Sequence, residues 1–357
     1  MNQPEAAAAN LLRVAAESES DEAFQAAVQS VFTSLRRSSK QDAQNVLRVL
    51  ARGIDLPNLE RATTVAMCCG SLVESGADPT LMAGTITARL EELLAQAARF
   101  REAWTSYLPE DYEDREEPDE QLDEQARSTA EAVLPTEAEA WTALQQFYLP
   151  GVAVYSRHVP SRVAARRLLE PALALSAEHD AGHWLAKVLQ VLHDEPLLVI
   201  EPASQSGIVG RMSGVAENFQ LNVLLMDIMP RGWFSGRRVS KSAADIAWGR
   251  GPQCTDEVIV GVWNLYTWQA LSSTQTLPPA DEMSSSAPWV WNEGVPADIP
   301  LFAEHRVVLL GPPSYQRSWR SQRAFDGMSA TIDHRPLTKG EVSDWLGRIA
   351  CAPRPAG

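Results

Sequence analysis

Apolar residues recur at intervals of three and four through the first hundred positions. Phe24, Ala27, Val28, Val31, Phe32 and Leu35 form one stripe of an amphipathic helix. Ser39 reads as the N-cap of the next helix, with Ala43, Val46, Leu47 and Leu50 inside it and Gly53 at its end. A third helix is predicted over 58–74, stopping at Gly76. A fourth starts after Asp78-Pro79, a capping residue followed by a proline whose missing N–H is no loss in a first turn. It carries Met82, Ile86, Leu90, Leu93, Leu94 and Ala97 towards Trp104. No fixed repeat accompanies these stripes, so residues 1–108 read as a helical bundle rather than a solenoid.

The pattern breaks over 109–124, where ten of sixteen residues are acidic and Pro109 and Pro118 intervene. Such a run repels itself and cannot bury a core, so it is expected to be an exposed linker or loop, or else a segment that docks on a basic surface. Helical periodicity resumes over 137–147, 161–178 and 182–193. Beyond Pro196 the texture changes. Short apolar runs at 196–200, 207–215, 258–263 and 307–310 predict buried strands. The stretch 217–229 is apolar nearly all round and predicts a helix buried against them. Thr338 and Glu341 make a capping box for a last amphipathic helix over 338–349. The expected fold is α+β. An all-helical bundle (1–108) and an acidic linker (109–124) precede a mixed domain (125–357), with helices over 125–193 and a small, mostly antiparallel sheet in 194–357. Strands and helices do not alternate regularly, which disfavours a Rossmann-like sheet.

Charge sharpens this division. The 357 residues include 46 acidic and 31 basic ones, a net of −15. The first 150 carry 26 acids against 12 bases, and the remainder 20 against 19. An acidic body repels phosphate backbones, which argues against general nucleic-acid binding. The apolar runs are too short to span a bilayer and the start lacks a signal-like segment, so a cytoplasmic protein with no membrane contact is expected. Cys68, Cys69, Cys254 and Cys351 show no C-x-x-C spacing, in keeping with a reducing compartment.

Common chemical motifs are missing. Gly207, Gly210 and Gly214 fit neither phosphate-loop pattern, and Gly311 leads into Pro312 and Pro313, which lack the amide protons a phosphate cradle needs. Ser206 and Ser235 do not sit in G-x-S-x-G. No cofactor motif is evident. His179, Asp180, His183, His193 and Asp194 fall within sixteen residues, and on a continuous helix His179 and His183 would share a face at a spacing that suits a divalent metal. Gly182 between them, and the ten-residue step to His193, favour capping or packed histidines instead.

Tryptophan is the unusual feature: nine of eleven follow residue 150. Trp263, Trp268, Trp289 and Trp291 flank predicted strands, and on a strand the rings of Trp289 and Trp291 share a face. They fill a core, or they wall a pocket with Asn264, Asn292 and Glu293 at its rim. Arg231, Arg237, Arg238 and Lys241 surround Trp233 and Phe234. Arg317, Arg320 and Arg323 are spaced by three around Trp319, as a helical turn would align them. Arginine forks suit carboxylate or phosphate, on a ligand or on the acidic segment.

Two functions follow. The first is an interaction or regulatory protein whose Trp- and Arg-rich C-terminal domain binds a protein, a peptide or a small anionic ligand. Its contacts would be Trp263, Asn264, Trp289, Trp291, Asn292, Arg317 and Arg320. The second is an enzyme of unfamiliar type. It would use His183 or His193 as base, Asp194 or Glu293 as carboxylate and Arg317 or Arg320 as anion clamp, with His179, His183 and His193 holding the metal if there is one.

Overall fold

A computed structural model describes residues 2–18, 20–36, 38–110, 112, 119–230, 238–277, 288–313 and 317–353. The chain divides into two compact units, Met1–Leu189 and Gln190–Gly357.

The first unit is helical: α1 (Gln3–Glu17), α2 (Asp21–Leu35), α3 (Lys40–Leu50), α4 (Leu59–Glu74), α5 (Thr80–Ser106), α6 (Glu120–Val133), α7 (Pro135–Arg157), α8 (Val159–Ala164), α9 (Leu169–Ala174) and α10, which starts at Asp180 and ends at Gln190. Ser39 caps α3 as its sequence implies, reciprocated by Asp42. The acidic stretch is not the domain boundary expected of it. α7, beyond it, packs against α4 and α5, and α6 packs against α5, so the boundary falls at 189/190 instead. The end of the acidic run is the start of α6, where Asp119 accepts the N–H groups of Gln121 and Leu122. Carboxylates are favoured at a helix N-terminus, so this part of the run forms structure.

α7 continues through Pro150, which removes one intrahelical hydrogen bond. Close packing offsets that loss. A Cβ on Gly70 of α4 would sit 3.1 Å from Pro150 Cα, and one on Gly151 would sit 2.7 Å from Leu90 of α5. The two glycines therefore set how closely α4 and α5 approach the middle of α7.

The second unit contains β1 (Glu195–Glu201), β2 (Ser206–Ser213), α11 (Asn218–Ile228), α12 (Lys241–Trp248), β3 (Cys254–Val260), β4 (Asn264–Thr267), β5 (Leu301–Phe302), β6 (His305–Gly311), β7 (Ser318–Gln322), β8 (Thr331–Pro336) and α13 (Lys339–Ala350). The main sheet runs β4-β6-β1-β2-β8, with β5 beside β6, and β3 pairs with β7 as a separate ribbon. Among these pairings β1 with β6 is parallel, Leu198 facing Val307, and the others are antiparallel. One face of the sheet (Leu197, Val199, Ile208, Val308, Leu310) packs on Leu221 and Leu225 of α11 and Ala243 and Ala247 of α12. The other face (Leu198, Ile200, Val307, Leu309) packs on Val342, Leu346 and Ile349 of α13. Burial on both faces explains why β1 reads as a continuous apolar run.

β7 stands where a helical turn was expected. Its residues alternate in burial, with Ser318, Arg320 and Gln322 exposed and Ser321 buried. Arg317, Arg320 and Arg323 consequently do not line up on one side.

Candidate functional site

The second unit brings several of the singled-out residues together beside β4. Residues 288–290 run next to that strand. Thr267 N–H donates to Pro288 O, Val290 N–H donates to Leu265 O, and Tyr266 bridges Trp289. The next residues close over the start of α11, where Asn218 N–H donates to Gly294 O and Phe219 N–H to Asn292 O, each at 2.9 Å. Asn218 Nδ2 also donates to Trp291 O at 2.7 Å. A main-chain loop thus supplies acceptors that a capping side chain would otherwise provide.

Held this way, Trp289 and Trp291 point to one side, as the two-residue spacing implies. Their rings lie 5.8 Å apart and 30° from parallel, and Tyr266 meets Trp289 edge-on at 5.8 Å. The Arg317 guanidinium lies over Trp289 at 5.5 Å, a cation–π arrangement. Trp291, 49% exposed, forms the outer end of this ridge. Phe219 and Trp319 pack together nearby at 5.4 Å.

Other expected contacts lie elsewhere. Trp263 is buried; its indole N–H donates to Glu201 Oε1 at 2.8 Å and Arg238 covers its ring at 4.5 Å. Arg238 also donates to the carbonyls of Met229 and Pro230 at the end of α11. Asn264 is buried beside the Tyr266 hydroxyl, and Asn292 is buried with its Oδ1 accepting from Asn222. Glu293 is exposed. Arg320 stands on the exposed face of the ribbon and pairs with Asp256 at 3.3 Å. Arg323 is interior. The cluster of Arg231 and Arg237 with Trp233 and Phe234 lies outside the described residues, as do seven of the sixteen positions of the acidic run. Lys241 opens α12 and pairs loosely with Asp245.

The histidines do not converge. His179 precedes α10 and is fully buried, with its ring 4.1 Å from Trp141 and its Nδ1 3.3 Å from the Tyr148 hydroxyl. Gly182 packs against the Tyr148 ring, which brings the start of α10 inward. One turn on, His183 is exposed beside Trp184. His193 is exposed too, with Nδ1 3.2 Å from Ser213 Oγ, and the neighbouring Asp194 pairs with Arg211 at 2.5 Å. Among the described residues no group of three His, Cys, Asp or Glu side chains is placed to hold a metal. No described helix is long and apolar enough to cross a membrane.

Burial, reinforced by the positive charge of Arg127, lowers the His179 pKa to about 4. His179 stays neutral in the folded state, while the unfolded chain takes up a proton below about pH 6.5. Stability is therefore expected to fall as the pH drops from about 6.5 towards 4, by at most about 1.4 kcal/mol per pH unit from this residue. Urea unfolding of the wild type and of His179→Gln between pH 7 and 4.5 tests this. The variant should show the shallower decline, and parallel curves would refute the assignment.

No protein-family model, curated protein or solved structure matches this chain, so the site is read from its own chemistry. Sequence reasoning missed Tyr266 and Phe219. Tyr266 could have been found from the alternation that starts at Asn264, whereas Phe219 is joined to Trp319 only by the tertiary fold.

Proposed function

We propose that the chain is a binding protein, and that the Trp289, Trp291 and Arg317 ridge of the second unit receives a protein or peptide partner. The observation that carries this reading is the half-exposed Trp291 stacked on Trp289, with the Arg317 guanidinium over Trp289. Tryptophan and arginine dominate binding energies because they combine wide contact with a directed polar group. Trp289, partly buried and backed by Tyr266, is preorganised and has little freedom to lose on contact. Arg317 suits a carboxylate on the partner. The enzyme reading has no comparable support, since its candidate bases His183 and His193 and its carboxylates Asp194 and Glu293 are exposed. Four free cysteines are consistent with action in a reducing cytoplasm.

A photo-crosslinking residue at exposed position 293 tests the proposal in the native host. A discrete protein adduct is expected, and Trp291→Ala or Arg317→Ala should each reduce it at least tenfold. No adduct, or one indifferent to both substitutions, would overturn the proposal.

A further inference from the structure

The β3–β7 ribbon of the second unit is anchored on one side and bare on the other. On the inner side Ile259 and Trp319 pack into the core. Two residues of α12 hold the strands from beneath: Ser321 Oγ donates to Ala243 O at 2.9 Å, and Ser242 Oγ donates to Glu257 Oε2 at 2.6 Å. On the outer side Val258 is 60% exposed and Val260 45%. Two apolar, β-branched side chains therefore stand together in solvent on a strand that is fixed in place.

The main chain of the same two residues is open as well. Gly261 N–H donates to Arg317 O at 3.0 Å, and the register sets Ile259 against Trp319, Val258 against Arg320 and Val260 against Ser318. Hydrogen-bonded and non-hydrogen-bonded positions alternate along an antiparallel pair. Gly261 and Ile259 thus turn their N–H and C=O groups towards β7, and Val258 and Val260 turn theirs away from it. β3 pairs with β7 alone, and among the described residues nothing else bonds to either valine. The opposite edge of the ribbon carries Ser318, Arg320 and Gln322, all exposed and polar, with a charge at its centre. Polar and charged side chains protect a strand edge from pairing. β3 lacks that protection at Val258 and Val260.

We infer that β3 pairs antiparallel with β3 of a second copy of this chain, about a two-fold axis at Ile259, so that two ribbons become one four-stranded sheet. The residues select both the partner and the register. With the axis at Ile259, Val258 of each copy faces Val260 of the other, and their outward N–H and C=O groups bond to one another. The four valines then form one apolar patch, and β-branched residues are the type that pairs best across strands. One short stretch supplies both halves of the match, as a self-complementary two-fold contact requires. Charge excludes the neighbouring solution: an axis at Asp256 sets two carboxylates face to face, which is destabilising. With the axis at Ile259 those carboxylates stand about 20 Å apart along the strands. Arg320, beside Val258 on β7, is answered by Asp256 of its own chain at 3.3 Å, so the exposed face of the ribbon brings no unanswered charge to the patch. So short a strand pair buries much less than the roughly 800 Å² per partner of a stable complex, and the dimer is accordingly weak and concentration-dependent.

Sedimentation velocity of the full-length chain, from about 1 µM to about 0.5 mM, tests the pairing. A shift from monomer to dimer is expected, with a midpoint on the order of 100 µM. The double variants Val258→Lys/Val260→Lys and Val258→Glu/Val260→Glu should each raise that midpoint at least tenfold. An equal mixture of the two should recover dimer, because every facing pair then joins opposite charges. Both positions are exposed, so the variants are expected to stay folded, and protection of the Ile259 and Trp319 amides checks that they do. Register is read by mild oxidation of Val258→Cys mixed with Val260→Cys, each also carrying Cys254→Ser and Cys351→Ser to remove the exposed native thiols. A disulfide between the two different variants should exceed at least fivefold those that either forms with itself. A dimer indifferent to both charged pairs, or cross-links as frequent in each single variant as in the mixture, would overturn the inference. So would a wild type that stays monomeric at the highest concentration, which would leave the edge to a strand from another protein.

Discussion

Arg323→Met is expected to destabilise the second unit by about 2–4 kcal/mol, seen as a urea midpoint lowered by about 1–2 M. Arg323 is 5% exposed. Its Nη1 donates to the carbonyls of Ile246, Gly251 and Pro252 at 2.9, 3.1 and 3.0 Å, and its Nη2 reaches Asp326 O and Oδ1, both at 3.3 Å. The guanidinium thus adds a second donor to Ile246 O, which also accepts the Gly249 N–H, and donates to the Gly251 and Pro252 carbonyls beyond the end of α12. Methionine fills a similar volume but withdraws the donor from the part-buried Gly251 and Pro252 carbonyls and leaves Ile246 O with the Gly249 N–H alone. An acceptor left without a partner away from water costs about 1–3 kcal/mol. Arg320→Met is the comparison. Arg320 is exposed and pairs with Asp256, whose side chain is 97% exposed, so its loss should change stability by no more than about 0.5 kcal/mol. If the two variants unfold alike, Arg323 is not a clamp.

Gly214→Ala should cost the same unit about 2–4 kcal/mol. Gly214 follows β2 with φ +71°, and its N–H donates to Leu192 O at 3.1 Å. A Cβ there would fall 2.2 Å from the main-chain oxygen of Ser329. The left-handed backbone costs an L-residue about 1–2 kcal/mol, and forcing the neighbouring main chain aside adds about 1–3 kcal/mol. Gly76→Ala separates the two contributions. Gly76 also has positive φ, +98°, but a Cβ would meet nothing within 4 Å, so only the smaller backbone cost should remain. Amide exchange in β2 and β8 would report the first substitution, and exchange in α4 the second. Equal costs would mean that the approach of Ser329 is not what requires glycine at 214.

These two residues also illustrate what the sequence could reveal. The helices of the first unit were readable because their apolar stripes and caps are local; Ser39 and Thr338 cap the helices they were expected to cap. β1 and β6 were readable because burial on both faces makes them apolar throughout. β7 and β8 were not, since each has one fully buried position, Ser321 and Ile332, with Trp319 and His334 half-buried and the rest exposed. A strand of that kind is specified by its partner rather than by its own pattern. The arginines were misread for the same reason. Three residues at one spacing look equivalent in sequence, yet Arg317 covers an indole, Arg320 faces solvent and Arg323 is interior. At the ridge, the pairing of Trp289 with Trp291 followed from strand geometry alone. The inward turn of Asn292 depends on its carbonyl and side chain both being engaged by α11, seventy or more positions away in the chain.

The strand order bears on how the second unit is made. β1 emerges early in this unit and pairs at once with β2, but its other neighbour, β6, begins more than a hundred residues later, and β2 waits for β8 until position 331. On the ribosome the β1–β2 hairpin must therefore persist with both edges open and an apolar face uncovered while the intervening chain is synthesised. Late closure of the sheet is built into that topology, whereas the helical unit ahead of it can assemble from contacts between neighbouring segments.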